Sequence, residues 1–190
     1  MNYPKGVKNS NTENIIKYDN RGMGLEEDIN LTNQYYIDNE IAYIYKKPTP
    51  IQVTKVDYKN GMIIKEAYFK EPSTTDYNGL YKGMYIDFEA KETTSKTSFP
   101  LSNIHNHQTE HIKHIVNNGG ICFLIVRFSK LNKDFVLMGK DYIDFISKED
   151  RKSIPFEYFT QYGYEIEIGY RPRLDYLKII NKIIGGKNGK

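Results

Sequence analysis

The chain has 190 residues, 39% of them hydrophobic and 27% charged, which supports one domain with a real core and excludes a disordered polymer or a membrane-embedded bundle. The longest apolar run, residues 121–126, is too short to span a bilayer, and no secretory signal is expected behind Met-Asn-Tyr-Pro-Lys. A net charge of +3 designates no partner by itself, and the lone Cys122 excludes an intramolecular disulfide and points to the reducing cytoplasm.

Residues 1–20 are rich in Asn, Lys and Ser without an apolar face and read as a mobile tail. Residues 24–39 read as a helix, with Leu25, Ile29, Thr32 and Tyr36 on one face and Glu26, Glu27 and Asp28 at its positive N-terminus. A short strand over 41–45 runs into Lys46-Lys47-Pro48-Thr49-Pro50, a rigid extended connector. Residues 52–58 and 62–69 flank Asn60-Gly61 and predict a β-hairpin. From residue 46 to 70, Lys46, Lys47, Lys55, Lys59, Lys65 and Lys70 stand against only Asp57 and Glu66. That segment is either a phosphate-contacting surface or a solvated lysine-rich face.

Over residues 85–91, Ile86, Phe88 and Ala90 alternate with Asp87, Glu89 and Lys91, which predicts a strand with one core face. Helical spacing follows over 104–116, stopped by Asn117-Asn118-Gly119-Gly120. The run 121–126 predicts a strand buried on both faces. Residues 135–138 suggest another strand, 142–146 a short element, and 174–184 a final helix. Helix, strands, helix, strand, helix is the order of an α/β domain with a mixed central sheet.

Asp76 and Glu89 are the candidate chemistry. If Lys82-Gly83 is the tip of a two-residue hairpin, Tyr81 pairs with Met84 and Asp76 faces Glu89, with Cβ atoms about 4.5–5.5 Å apart. Carboxylates that close repel unless a divalent cation lies between them, an arrangement that suits Mg2+. Asn78-Gly79 is a competing turn that would break this register. Lys91 shares the strand face of Glu89, where its ammonium can help deprotonate a water or balance charge on a phosphorane-like transition state. The same Glu-x-Lys also reads as an exposed ion pair. Gln108 falls in the core-facing stripe of its helix and is either a satisfied core glutamine or a neighbour of a metal site. Thr74 shares the face of Asp76, and Glu26 either reaches the sheet or serves the helix dipole. The 4 histidines, His105, His107, His111 and His114, fall within one short stretch. His107 and His111 have a zinc-compatible spacing, but without the helical His-Glu-x-x-His pattern they read as a partly exposed polar face.

The longest motifs are Ser-Thr-Thr-Asp-Tyr-Asn-Gly at 73–79 and Tyr-Ile-Asp-Phe-Glu-Ala-Lys-Glu-Thr at 85–93. With them come Arg-Gly-Met-Gly-Leu-Glu at 21–26, Lys-Lys-Pro-Thr-Pro-Ile-Gln at 46–52 and Ile-Lys-Glu-Ala-Tyr-Phe-Lys at 64–70. Lys96-Thr97-Ser98-Phe99-Pro100-Leu101, His107-Gln108, Gly169-Tyr170 and Pro172-Arg173-Leu174-Asp175-Tyr176 complete the set. In these stretches the chain resembles the RecU family of Holliday junction resolvases, and the resemblance runs from residue 21 to 180.

The resemblance implies an α/β, restriction-endonuclease-like core with a mixed central β-sheet flanked by helices and a protruding β-hairpin stalk. The nuclease domain would cover 21–186, with the stalk at about 50–72 within it. By position in the motifs, Thr74, Asp76, Glu89 and Gln108 would bind Mg2+ (Mn2+ substituting), and Lys91 would stabilise the transition state, with Glu26 as an accessory. Lys55, Lys59, Lys65 and Lys70 on the stalk would contact DNA at the centre of a four-way junction. The stalk tip is a residue or two shorter than the family's, and the tail does not match it. The resemblance further implies a cytoplasmic homodimer that cuts opposed strands and modulates a RecA-type recombinase. Two other classes stand beside it: a non-catalytic junction-binding modulator, and a duplex-specific nuclease on the same core.

Overall fold

Apolar periodicity and turn chemistry place most of the elements. The computed structural model describes residues 24–59, 61–70 and 74–187, so the predicted tail and Asn60 lie outside the described residues. In chain order the elements are α1 (Leu25–Asp38), β1 (Tyr43–Lys46), β2 (Ile51–Asp57), β3 (Ile63–Phe69), β4 (Tyr77–Tyr81) and β5 (Met84–Thr93). Then come β6 (Ser98–Pro100), α2 (Asn106–Asn117), β7 (Ile121–Phe128), β8 (Lys133–Met138) and α3 (Gly139–Lys148). The last are β9 (Ser153–Pro155), α4 (Phe156–Tyr162), β10 (Tyr164–Ile166) and α5 (Tyr176–Lys187).

A 6-stranded sheet in the order β1-β4-β5-β7-β8-β10 forms the centre. It is mixed, because β5 and β7 run parallel whereas the other neighbouring pairs are antiparallel. On one face, Leu25, Ile29 and Tyr36 of α1 and Tyr176, Leu177 and Ile180 of α5 pack on Ile86, Phe88, Phe123 and Ile125. Tyr77, Phe88 and Phe123 stack there, with successive ring centroids 4.8 Å apart. On the other face, Ile112 of α2, Tyr142 and Phe145 of α3 and Phe159 of α4 cover Leu124, Val126 and Leu137. Strand β7 thus alternates between two apolar cores, which is why its sequence is continuously apolar.

Within the sheet, Lys82 and Gly83 adopt φ of 50° and 76°, the left-handed pair that a two-residue hairpin turn needs. The competing turn at Asn78-Gly79 does not form; both residues lie in β4, opposite Asp87 and Ile86. Gly79 serves close approach instead: a Cβ there would stand 2.0 Å from the Tyr43 carbonyl oxygen on β1. The helix predicted from 104 begins two residues later, because His105 is its N-cap and closes a capping box with Gln108. The short element predicted at 142–146 is the longer helix α3, and β6, β9, α4 and β10 had no counterpart in the sequence reading.

The predicted basic hairpin forms as a separate two-stranded sheet, β2–β3. Every residue of β3 is exposed, Phe69 to 83%, so the hairpin stands clear of both cores. One buried charge cluster ties the layers together elsewhere. Arg127 of β7 bonds Asp28 of α1 at 2.7 Å and Asp134 of β8 at 2.7 Å, and Arg173 reaches Asp28 at 3.0 Å.

The substitution Gly79→Ala forces β1 away from β4. The expected loss is about 1–3 kcal/mol of unfolding free energy, read as a lower urea midpoint at unchanged m-value; an unchanged midpoint would show that β1 docks without this close approach.

Candidate active site

The β4–β5 ladder pairs Tyr81 with Met84 and Tyr77 with Phe88, so the next position outward sets Asp76 against Glu89. The contact is direct: the Asp76 N–H donates to Glu89 Oε2 at 3.1 Å. Glu89 is fully buried, and Lys91 Nζ lies 2.6 Å from its Oε1. That ion pair lacks the angle of a hydrogen bond, so Oε1 is buried without a well-directed donor. An exposed Glu89–Lys91 pair, the plain reading of Glu-x-Lys, is therefore not what the fold makes. Burial, chiefly, and the neighbouring Asp76 carboxyl push Glu89 up to about 8, with Lys91 opposing them.

The other candidates divide. Thr74 is half-buried just ahead of Asp76, its hydroxyl donating to the Thr75 carbonyl at 3.3 Å. Gln108 is buried in the first turn of α2, where its Oε1 accepts the His105 N–H at 3.0 Å, so that oxygen already caps the helix. Glu26 lines, with Asp76, Tyr77, Ala90 and Glu92, a depression of about 240 Å³. Its carboxylate also pairs with Lys46 at 2.5 Å. A larger cavity of about 430 Å³, between α1 and residues 170–173, includes none of these side chains.

The predicted DNA-contacting lysines keep partial counter-charges. Lys55 pairs with Glu66 at 3.3 Å and Lys65 with Asp57 at 3.4 Å, both on the solvent-exposed hairpin, where such pairs are worth little. Lys55, Tyr58, Lys59 and Lys65 border one shallow concavity. Lys70 sits apart at the hairpin base, its N–H bonded to the Pro50 carbonyl.

Sequence reasoning missed a second polar centre on the same strand face. Asp87 is fully buried and accepts from Lys47 Nζ at 2.8 Å, from Tyr85 O–H at 2.8 Å and from Thr75 Oγ1. His111 Nε2 lies 3.3 Å from it, so this partly exposed histidine also turns toward the buried carboxylate. His105 instead stacks on His107. The available signal was alternation, which set Asp87 on the face of Glu89. Lys47 fits neither sequence reading, phosphate contact or solvated lysine, because its side chain is only 18% exposed and turns inward.

The donor set is one of hard oxygens. Among the described residues no three His, Cys, Asp or Glu side chains converge. Two facing carboxylates, one of whose buried oxygens is met only by the Lys91 ammonium, fit a Mg2+-class ion that keeps waters in its shell.

Comparison with known proteins agrees with the motifs. The family model "Recombination protein U" matches residues 20–182. A Holliday junction resolvase RecU of Geobacillus sp. (strain WCH70) is 53% identical over 171 residues, covering 87% of this chain and 85% of that protein. The RecU resolvase of Pediococcus pentosaceus is 52% identical over 197 residues, covering 97% and 98% respectively. A solved structure of Hjc, a Holliday junction resolvase from Archaeoglobus fulgidus, aligns with a TM-score of 0.40 at 7% identity, covering 70% of this chain and 90% of that one.

The raised Glu89 has a definite linkage sign. Its carboxyl moves from 4.5 in the unfolded chain to about 8 when folded, so the folded state holds the extra proton and metal-free stability falls as pH rises through that interval. Thermal melts in EDTA should therefore drop from pH 5 to 8 more steeply for the wild type than for Glu89→Gln. A divalent ion held by Glu89 would compete with that proton, so Mn2+ affinity should then rise about tenfold per pH unit and level off above pH 8. Parallel melting curves for the two proteins would contradict the assignment.

Proposed function

The chain belongs to the RecU family, and we propose that it is an endonuclease that resolves Holliday junctions by divalent-metal-dependent hydrolysis of phosphodiesters in two opposed strands. One observation carries the catalytic part: Glu89 is buried against Asp76, and the Lys91 ammonium lies 2.6 Å from its second oxygen.

Asp76 and Glu89 would hold Mg2+, or Mn2+ in its place, with Thr74 and Gln108 completing the shell and Glu26 at the edge of the same depression. When bound, the ion supplies a Lewis acid for a non-bridging phosphate oxygen and a more acidic water. The protein's own groups do the rest. Burial on β5 keeps bulk water from Glu89 and strengthens each local charge interaction. Lys91, anchored on the same strand face, places a fixed positive charge where negative charge grows on the scissile phosphate. For Gln108 this role requires its side chain to serve both cap and ion, or to give up the cap.

The β2–β3 hairpin is the proposed stalk. Its exposure, its separation from both cores and the lysines around one concavity support a role in entering the junction. Symmetric cleavage calls for a homodimer, and modulation of a RecA-type recombinase in the cytoplasm follows from the family resemblance. Among the described residues no helix is long and apolar enough to cross a membrane.

Asp76→Asn and Glu89→Gln should each lower junction cleavage in Mg2+ by more than about a hundredfold while leaving junction binding nearly intact. Full cleavage by either purified variant would sink the site. Neutralising Lys55, Lys59 and Lys65 together should weaken junction binding and reduce the slope of log affinity against log salt by about 2–3. An unaltered salt titration would remove the stalk from DNA recognition, and equal cleavage of linear duplex and four-way junction would favour the duplex-nuclease reading.

A further inference from the structure

Residues 74–76 carry two of the proposed ion ligands, yet they precede the β4 ladder, whose first pair is Tyr77 with Phe88. Regular strand hydrogen bonds therefore do not locate them. Their anchors are few and specific. The Asp76 N–H donates to Glu89, and the Asp76 carbonyl accepts the Lys47 N–H at 2.8 Å. The hydroxyl of Thr75, between Thr74 and Asp76, donates to Asp87 and accepts from Lys47 Nζ at 3.0 Å.

Lys47 thus holds this segment twice, by main chain and by side chain. Its ammonium also lies 2.8 Å from Asp87, two residues before Glu89 on the same face of β5. A fully buried carboxylate needs a compensating cation and donors, and Lys47 supplies the charge while Thr75, Tyr85 and His111 surround the rest. Lys47 is also the first residue beyond β1, joined directly to Pro48 and the connector into β2. The connector that leads into the hairpin therefore starts at the residue that anchors the ion-binding segment.

We infer that Lys47 is a positioning residue for the metal-binding pair: through Asp87, Thr75 and the Asp76 carbonyl it sets Asp76 against Glu89. This rests on the metal-dependent reading given above. Groups that orient metal ligands without touching the ion change metal affinity or activity by about 10–100-fold when removed.

The test compares wild type, Lys47→Met, Lys47→Arg and the double variant Lys47→Met with Asp87→Asn. Methionine keeps the aliphatic stem and the main-chain bond to Asp76 but removes the ammonium; the double variant also removes the buried charge that the single one leaves uncompensated, which separates loss of the ammonium from the cost of an unpaired carboxylate. Mn2+ binding is titrated by electron paramagnetic resonance without DNA. Mg2+ half-saturation is measured for cleavage of a synthetic four-way junction, and junction binding is measured in EDTA. Both methionine variants should bind Mn2+ about 10–100-fold more weakly and need correspondingly more Mg2+, with cleavage at saturating Mg2+ within a few fold of wild type. Their junction binding in EDTA should be unchanged, and Lys47→Arg should fall between. Wild-type Mn2+ affinity in both methionine variants overturns the proposal, as does a loss of EDTA junction binding matching the loss of cleavage, which would make Lys47 a DNA contact. A wild-type protein that neither binds Mn2+ nor cleaves would instead overturn the metal-site reading and this inference with it.

Discussion

The Lys82–Gly83 turn is the constraint on which the site depends. Side chains alternate along a strand, so a slip of one residue in the β4–β5 register would turn Glu89 and Asp87 toward the apolar face occupied by Ile86 and Phe88. The left-handed conformations of Lys82 and Gly83 forbid that slip, and the Tyr77–Phe88–Phe123 stack penalises it from beneath. On the opposite edge of β4, Gly79 fixes how β1 docks, because only a residue without Cβ admits the Tyr43 carbonyl. Local turn chemistry and the apolar core thus determine where the carboxylates point.

Among the described residues four carboxylates are buried, and they are stabilised in different ways. Asp28 and Asp134 share Arg127, with Arg173 also on Asp28, which makes a closed network joining helix and sheet. Asp87 is surrounded by Lys47, Thr75, Tyr85 and His111. Glu89 differs from the other three: one oxygen takes a single main-chain N–H and the other only an ill-directed ammonium. A half-satisfied buried group is expensive in a purely structural role, and its position beside a saturated neighbour two residues away is what favours the proposed ion site at Glu89.

Much of this was legible in the sequence, for identifiable reasons. Turn residues at Lys82-Gly83, alternation through 85–91 and the apolar run of β7 each carry local physics that survives folding. Asn78-Gly79 misled as a turn signal because its glycine answers a neighbour distant in sequence, which no local pattern reports. Lys47 was invisible for the same reason: a lysine among lysines looks solvated, and only its partners at Thr75 and Asp87 turn it inward. The three-residue strands β6, β9 and β10 are too short for periodicity to register. Gln108 shows the opposite case, since its buried stripe position was readable whereas its cap to His105 was not.

The freestanding hairpin carries a liability of its own. It exposes Tyr58, Met62, Ile63, Ile64, Tyr68 and Phe69 on a two-stranded ribbon whose outer edges present unpaired backbone groups. Such a ribbon is a template for adding another chain's strand. Lysines 55, 59, 65 and 70 interrupt that apolar surface and give it a like charge in every copy, the arrangement by which exposed strands resist self-association. These ammonium groups act as gatekeepers that keep one molecule's hairpin from pairing with another's.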